Sequence, residues 1–384
     1  MSWRPASLGD CIELVSGAAF KSAMFTDNKD DIPLVKGENI GQGKILWDKT
    51  RYWPATQFEE YSKLVLKPDD IVLAMDRPWV TAGLKYAIVS DRDPVSLLVQ
   101  RVARIRPLPN ADAKFLKHVI GSKGFLEYIK GIMGGTNVPH ISGRQIRDFK
   151  CQLPDLETQQ RIASILSAYD DLIENNRRRI ALSEEAARQL YKEWFIRFRF
   201  PGHEHVKIIN GLPEGWEWLP LGDVLTLQRG FDLPVSERNE GSVPVYGSTG
   251  IVGFHDAAKV DAPMLITGRS GSLGQVCFVP VPCWPLNTAL WVREFKRVNA
   301  WFAYFLLSEM GLEKYNGGAS VPTLDRKVAH AASVILPSKH LLKTFDETAQ
   351  QNFELIHNLA KQNEQLVKAR DLILPKLMSG AIAV

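Results

Sequence analysis

The sequence contains an internal repeat, and this repeat limits the architectures open to the chain. Residues 3–10 (WRPASLGD) return as residues 216–223 (WEWLPLGD), and residues 134–139 (GGTNVP) return as residues 317–322 (GGASVP). Each copy then runs through Leu-Pro into a long segment with helical periodicity, and the first copy has the longer interior. The repeat predicts the order globular unit, long helix, globular unit, long helix, with two similar scaffolds that differ inside.

Length, charge and cysteine usage exclude several classes of protein. With 384 residues, of which 45% are hydrophobic, the chain can bury more than one core. A net charge of +4 is too small for a protein that coats DNA regardless of sequence, so any basic surface must be local. Cys11, Cys151, Cys277 and Cys283 stand singly, which favours reduced thiols and a cytoplasmic protein. No apolar run is long enough to span a membrane.

Two long segments carry the periodicity of coiled-coil helices. Residues 157–198 contain neither proline nor glycine, and Pro201 and Gly202 follow them. The second segment starts near Ser338, and Pro375 is expected to kink or end it. Both apolar seams advance by four and three residues, through Ile162, Leu166, Tyr169, Ile173, Asn176, Ile180, Ser183, Ala187, Leu190 and Trp194, and through Phe345, Ala349, Asn352, Ile356, Leu359, Asn363, Leu366, Arg370, Ile373 and Leu377.

Polar residues interrupt both seams, at Asn176 in the first and at Asn352, Asn363 and Arg370 in the second. Two interpretations stay open. These residues are either exposed positions of imperfect amphipathic helices, or polar contacts that fix the register of one helix against the other. Because each repeat supplies one helix, an intramolecular antiparallel pair is the simplest arrangement that buries both seams.

The rest of the sequence favours an α+β fold, in which two mixed α/β units are separated by two long helices that pair as an antiparallel coiled coil. Short apolar runs between Gly and Pro residues predict strands at residues 71–75, 86–89, 102–105, 264–267, 276–279 and 290–292. Shorter helices are expected at residues 113–128 and 299–313. The predicted boundaries are 1–155 for the first unit, 156–200 for the central helix, 201–210 for a linker, 211–337 for the second unit and 338–384 for the C-terminal helix.

A glycine-rich turn in the second unit is a candidate DNA contact. Residues 268–274 (GRSGSLG) follow a strand, but a second strand comes next, so no helix N-terminus is available to hold a pyrophosphate. A turn between two strands can instead present Arg269 and Ser270 to a guanine edge or a phosphate. The matching place in the first unit is residues 75–79, which include Arg77.

The Gly-Gly-x-x-Val-Pro motifs supply further candidates. They are either a turn followed by a helix cap, or polar loops whose side chains reach DNA. The DNA-binding residues predicted from the sequence are Arg77, Asn137, His140, Arg144, Tyr246, Arg269, Ser270, Ser320 and Arg326. The eight histidines are scattered and no HExxH or Asn-Pro-Pro-aromatic motif occurs, so we expect neither a metal site nor a catalytic centre.

Taken together, these features resemble the specificity subunit of type I restriction-modification enzymes, over essentially the whole chain. The resemblance rests on the motif that opens each unit, the turn between strands, the Gly-Gly motif and both helices. Residues 160–176 (QRIASILSAYDDLIENN) and 190–195 (LYKEWF) are similar to the central helix of that family. Residues 374–380 (LPKLMSG) are similar to the end of its C-terminal helix.

The resemblance implies a non-catalytic DNA-binding subunit. Each unit would be a target recognition domain that reads one half of a bipartite, asymmetric site in double-stranded DNA. The helices would form a spacer that docks two modification subunits, which are adenine methyltransferases, and the restriction motor/nuclease subunits. S-adenosylmethionine, ATP and Mg are expected on those partners and no cofactor on this chain. The alternatives are a stand-alone bivalent DNA-binding or scaffold protein without a methyltransferase partner, and an enzyme with an unrecognised site.

Overall fold

The computed structural model describes residues 3–80, 83–132, 139–318 and 322–384. The chain forms two compact units. Unit 1 comprises Met1–Glu174 and Glu364–Val384, and unit 2 comprises Asn175–Asn363. Both long helices contribute to both units, because their apolar faces pack into the two cores rather than forming segments of their own.

Unit 1 is built mainly from short strands. They are β1 Arg4–Ser7, β2 Ile12–Ser16, β3 Ile32–Val35, β4 Gln42–Gly43, β5 Tyr52–Trp53, β6 Ile71–Ala74, β7 Trp79–Val80, β8 Gly83–Leu84, β9 Tyr86–Ile88, β10 Leu97–Leu98, β11 Val102–Pro107 and β12 Lys150–Leu153. Its helices are α1 Ala113–Ile120, α2 Lys123–Ile132, α3 Gly143–Asp148, the first part of α4 Leu156–Tyr191 and the end of the C-terminal helix Lys339–Met378.

Unit 2 is likewise built from short strands and a few helices. Its strands are β13 Ile208–Ile209, β14 Leu212–Pro213, β15 Glu217–Pro220, β16 Leu225–Arg229, β17 Val243–Gly247, β18 Gly250–His255, β19 Met264–Gly268, β20 Val276–Val279, β21 Trp284–Pro285, β22 Ala289–Phe295 and β23 Ser333–Leu336. Its helices are the second part of α4, α5 Leu221–Val224, α6 Ala300–Glu309, α7 Arg326–Ala331 and most of α8 Lys339–Met378.

The two units share one sheet topology. The main sheet has the order β2-β11-β6-β9-β4 in unit 1 and β16-β22-β19-β20 in unit 2. A smaller sheet accompanies each, with the order β10-β3-β5 or β18-β17-β21, and in each a parallel pair forms between β3 and β10 or between β17 and β21. The first strand of each unit pairs with the last, β1 with β12 and β15 with β23. The repeat seen in the sequence therefore extends through the interior of both units.

One glycine in each unit occupies the same tight place after the first strand of the main sheet. A Cβ atom on Gly17 would lie 2.1 Å from the carbonyl oxygen of Val99, and a Cβ on Gly230 would lie 2.3 Å from that of Leu286. No side chain fits at such a distance from backbone. These glycines allow the strand to pass against the neighbouring loop in both copies.

The longer interior of unit 1 lies in its connections. Residues 36–51 join β3 to β5, whereas residues 248–249 join the corresponding strands β17 and β18. Residues 54–70 join β5 to β6, whereas residues 256–263 join β18 to β19. An aromatic cluster fills the added volume, with the rings of Phe20 and Trp53 at 4.9 Å between centroids.

The predicted elements are present with two differences. All six predicted strands form, as β6, β9, β11, β19, β20 and β22. The two predicted shorter helices are each interrupted at a glycine, Gly121 between α1 and α2, and Gly311 between α6 and the 3₁₀ turn Leu312–Tyr315. Gly311 has φ of +67°, a left-handed conformation that ends a helix and favours glycine.

The long helices pack antiparallel through the predicted seams, and every seam residue is buried or half-buried. In unit 1, the Asp170 carboxylate of α4 accepts hydrogen bonds from Arg370 of α8 at 2.8 Å and from Lys117 of α1 at 2.6 Å. Burial alone would raise the pKa of the Asp170 carboxyl, but these two cations hold it below its usual value.

In unit 2, the amide nitrogen of Asn176 donates to Gln362 Oε1 at 3.0 Å and to Asn363 Oδ1 at 3.1 Å. The polar seam residues therefore match one helix to the other, and the interpretation as exposed positions is wrong for Asn176, which is 4% exposed.

The helix ends differ from the sequence-based boundaries. The α-helical part of the first helix ends at Tyr191, and a π-helical turn at Lys192–Ile196 follows it. The second helix continues through Pro375 to Met378, so of the two expected effects of Pro375, a kink or an end, the end does not occur. Gly380, with φ of +74°, follows that helix.

Candidate nucleic-acid interface

In unit 2, the glycine-rich turn at residues 268–274 is hydrogen-bonded to the segment that follows the Gly-Gly motif. The turn that follows β19 is hydrogen-bonded on one side to Thr288, whose carbonyl accepts from the Arg269 amide at 2.9 Å. On the other side, the Leu324 amide donates to the Arg269 carbonyl at 2.8 Å, and the Gly271 amide donates to the Pro322 carbonyl at 2.9 Å. The segment after the Gly-Gly motif is thus held against the glycine-rich turn.

Unit 1 repeats this arrangement bond for bond. The Met75 amide donates to the Arg101 carbonyl at 2.8 Å, the Ile141 amide to the Met75 carbonyl at 2.8 Å, and the Arg77 amide to the Pro139 carbonyl at 2.8 Å. Residues 75–77 therefore correspond to residues 269–271, as the sequence comparison predicted. Arg77 stands where unit 2 has glycine and keeps the left-handed conformation, with φ of +43°.

A helix cap follows each turn. Ser142 Oγ accepts from the Gln145 amide at 3.2 Å and begins α3, and Asp325 Oδ1 accepts from the Lys327 amide at 2.8 Å and begins α7. The helix cap expected after each Gly-Gly motif is therefore present in both units, whereas residues 134–138 and 319–321 of the motifs themselves lie outside the described residues. The caps also place Arg144 and Arg326 in exposed first helical turns beside the paired segments.

The turn of unit 2 borders a cationic cleft of about 500 Å³. Arg229, Arg269, Arg326 and Lys327 line it, with Asp325 as the acidic residue among them. Arg269 Nη1 donates to the Asn287 carbonyl at 3.3 Å, which orients the guanidinium along the cleft. Four cations against one helix-capping carboxylate give the cleft a positive potential suited to a phosphate or a guanine edge.

The corresponding place in unit 1 lacks two of these arginines. Ser16 and Met75 occupy the positions of Arg229 and Arg269, and the Ser16 hydroxyl lies 3.8 Å from the Met75 sulfur. In unit 1 a basic and an aromatic side chain instead gather around Asp76, one residue further along the turn. There the Asp76 carboxylate contacts Arg101 Nη1 at 2.7 Å and His140 Nδ1 at 2.5 Å. The two units thus present different chemistry on equivalent backbone.

The remaining predicted residues are distributed unevenly. Ser270 is half-buried and forms a β-bridge with Thr323. Asn137 and Ser320 lie outside the described residues. Tyr246 does not join the cleft, because its ring is 9% exposed in the core of unit 2 and burial raises the pKa of its hydroxyl to about 12.

The sequence analysis missed four residues of these two sites: Asp76, Arg101, Arg229 and Lys327. Arg229 had a readable signal, because it precedes Gly230 as Ser16 precedes Gly17. Arg101 had none, because its link to Asp76 depends on the pairing of β6 with β11.

Other kinds of site are not seen in the described part of the chain. No group of three or more His, Cys, Asp or Glu residues there could hold a metal ion. Among those same residues, no helix is both long and apolar enough to cross a membrane. Burial raises the pKa of the Cys11 thiol to about 12, that of Cys151 to about 11 and that of Cys283 to about 12, so these thiols stay protonated at neutral pH.

Comparisons with known proteins agree with one another. Residues 2–184 match the family model described as the type I restriction modification DNA specificity domain. The chain is 29% identical over 316 residues to the MjaIX type I specificity subunit of Methanocaldococcus jannaschii, covering 74% of this chain and 72% of that protein. It is 26% identical over 408 residues to the putative MjaX specificity subunit of the same organism, covering 100% of this chain and 94% of that one.

A solved structure shares the fold. The S subunit of a type I restriction-modification system from M. genitalium superposes with a TM-score of 0.63 at 18% identity, covering 98% of this chain and 96% of that one.

Proposed function

Because the chain belongs to the specificity-subunit family of type I restriction-modification enzymes, a family of non-catalytic recognition subunits, we propose that it reads a bipartite, asymmetric site in double-stranded DNA. The observation that carries this proposal is the pair of equivalent turn sites, one in each unit, with different side chains on the same hydrogen-bonded backbone. Two units that share one scaffold but carry different side chains at this turn would recognise two different half-sites.

Unit 2 would contact its half-site through the cationic cleft. Arg269 is the central candidate, since a guanidinium can donate two hydrogen bonds to O6 and N7 of guanine in the major groove. The exposed Arg326 and Lys327 sit at its edge and suit phosphate contacts, which position a protein on DNA without reading sequence. Unit 1 would use Arg77, His140 and Arg144, which are all exposed around its own turn.

The helices would dock the modification subunits, and through the assembled complex the restriction subunits. Exposed leucines outside the seam support this, with Leu172 at 50%, Leu182 at 70% and Leu372 at 68% exposure. Such side chains on a polar helix face are candidates for burial by a partner. S-adenosylmethionine, ATP and Mg would be held by the partners, and the complex would work in the cytoplasm.

Exchange of one unit tests the reading of two half-sites. Residues 1–155 are replaced by the matching unit of a related specificity subunit, and the methylated sites are mapped in the genome of cells that express the modification subunit. One half of the recognised site should change while the other is retained. A change in both halves, or in neither, would contradict independent reading by the two units.

Co-purification tests the docking proposal. The tagged chain, expressed with the modification subunit of its system, should elute with two copies of it. Leu172→Glu and Leu182→Glu should release the modification subunit, while Glu184→Gln, at an exposed position of the same helix, serves as the surface control. A complex that withstands both leucine substitutions would contradict docking on these faces.

A further inference from the structure

We infer that Asp76 is a positioning residue that presents Arg101 and His140 together as the base-reading pair of unit 1. This inference rests on the proposed function and names the residues that perform it. Neither Asp76 nor Arg101 is among the DNA-binding residues predicted from the sequence. Both follow from the geometry of the turn that β6 shares with the segment after the Gly-Gly motif.

The carboxylate of Asp76 has one partner on each oxygen. Oδ2 accepts from Arg101 Nη1 at 2.7 Å, and Oδ1 lies 2.5 Å from His140 Nδ1. Its side chain is 23% exposed, whereas the Arg101 and His140 side chains are 68% and 52% exposed. The acid is therefore sheltered beneath two exposed groups, which are adjacent because they share one carboxylate.

The pairing determines what each exposed group offers. A carboxylate accepts hydrogen bonds only, so the Nδ1 atom of His140 carries the proton, and in the neutral ring Nε2 is left as an acceptor. Arg101 uses one nitrogen on Asp76, and the described residues offer no other partner to its remaining N–H groups. The turn thus displays a fork of donors beside one acceptor.

This combination matches the edges of bases in the major groove. The guanidinium donates to O6 and N7 of guanine, and the imidazole Nε2 accepts from the amino group of cytosine or adenine. Either the two bases of one G·C pair or two neighbouring bases satisfy both groups. Asp76 also neutralises the charge of Arg101, so the pair favours base edges over phosphate.

Backbone strain at two residues near Asp76 supports a functional role for this arrangement. Arg101 has φ of +64°, a left-handed conformation that costs about 1 kcal/mol or more in any residue with a Cβ atom. Arg77, on the other side of Asp76, has φ of +43°. Strained non-glycine residues cluster where surrounding contacts hold them for a purpose. In unit 2 the equivalent positions are Thr288, Ser270 and Thr323, which carry hydroxyls and no formal charge.

The test measures base preference with the full chain assembled with its modification subunits. Binding is titrated on a panel of duplexes in which each position of the unit 1 half-site carries all four bases. Arg101→Ala should lower the preference for one guanine by about 10- to 100-fold. His140→Ala should lower the preference for an amino-bearing base at the same or the adjacent pair. Asp76→Ala should lower both.

A positioning role makes a further prediction that a structural role does not. In the Arg101→Ala, His140→Ala background, adding Asp76→Ala should change base preference by less than about 2-fold, because nothing is left to position. Arg51→Ala, which breaks the exposed pair with Asp27 in the same unit, is the matched control and should bind like the wild type. Thermal melting of each variant separates lost contacts from lost folding.

Two results would overturn the inference. The first is a folded Asp76→Ala variant that keeps the wild-type base preference. The second is an Arg101→Ala variant whose affinity falls equally on every duplex, as expected of a phosphate contact. If Arg269→Ala changes base preference in the unit 2 half-site, whereas the unit 1 variants leave base preference in their half-site unchanged, the inference about Asp76 is wrong and the proposed function stands. If unit exchange moves neither half-site, the proposed function fails.

Discussion

The buried amide of Asn176 permits a quantitative prediction, because its neighbour Asn175 is a matched control on the same helix. Asn176 is 4% exposed and donates to Gln362 and Asn363, whereas Asn175 is exposed. Each hydrogen bond contributes about 1 kcal/mol, so Asn176→Ala loses about 2 kcal/mol of stability. Alanine regains about 0.5 kcal/mol of helix propensity at either position.

The expected outcomes therefore have opposite signs. Asn176→Ala should destabilise unit 2 by about 1.5 kcal/mol, and Asn175→Ala should stabilise it by about 0.5 kcal/mol. Urea denaturation of the purified chain gives the change in stability, and hydrogen exchange in peptides from α4 and α8 locates it. If both substitutions changed the free energy of unfolding equally, the hydrogen bonds of Asn176 in the seam would not contribute to stability as argued.

Three further predictions concern the core, the scaffold and the interface. Burial raises the pKa of the Asp346 carboxyl to about 7. The folded state therefore holds a proton that the unfolded state releases near pH 4. The stability of the fold consequently falls as the pH rises from about 4 to about 7. Asp346→Asn should therefore stabilise unit 2 by about 1 kcal/mol at pH 8, after allowance for solvent screening, and by less at pH 5, as measured by urea denaturation. Gly17→Ala and Gly230→Ala should each lower the melting temperature, because the added Cβ would overlap backbone atoms. Gly37→Ala is the control, because no atom lies within 4 Å of its added Cβ, and it should not lower the melting temperature. Equal melting temperatures in all three variants would contradict the close approach at Gly17 and Gly230. Arg269→Ala should weaken binding to the unit 2 half-site by about 1–3 kcal/mol in a titration, and unchanged affinity and preference would exclude it from base reading.

Elements governed by local periodicity were predictable from the sequence. The seam residues of both helices follow from spacing, because a residue's distance along a helix fixes the face on which it lies. The six strands follow from short apolar runs between glycine and proline residues. The helix ends were not predictable in the same way. Residues 192–196 continue the apolar pattern of the first helix, yet they adopt a π-helical turn in which Trp194 and Phe195 are buried beside Phe345.

The candidate sites were predictable only in part. The motifs located Arg77 and Arg269, because glycine and proline mark turns in any fold. They could not show that each turn is hydrogen-bonded to the segment after the Gly-Gly motif, more than 50 residues away in unit 2 and 60 in unit 1. Tyr246 was selected as a polar aromatic residue, and its burial depends on packing that involves Cys277 and Cys283 from other strands.

The equivalence of the two turns explains how one scaffold can carry two specificities. The bonds that hold residues 75–77 and 269–271 in place use only backbone amides and carbonyls, which are the same whatever the side chain. The side chains at these positions are therefore free to differ: methionine or arginine at the first, aspartate or serine at the second, arginine or glycine at the third. The third is constrained because its left-handed φ favours glycine and tolerates arginine at a cost, and the first is constrained in unit 1, where Met75 is 6% exposed and packs in the core. Substitution at the second position, Asp76 or Ser270, should consequently change what a unit reads while leaving its fold intact.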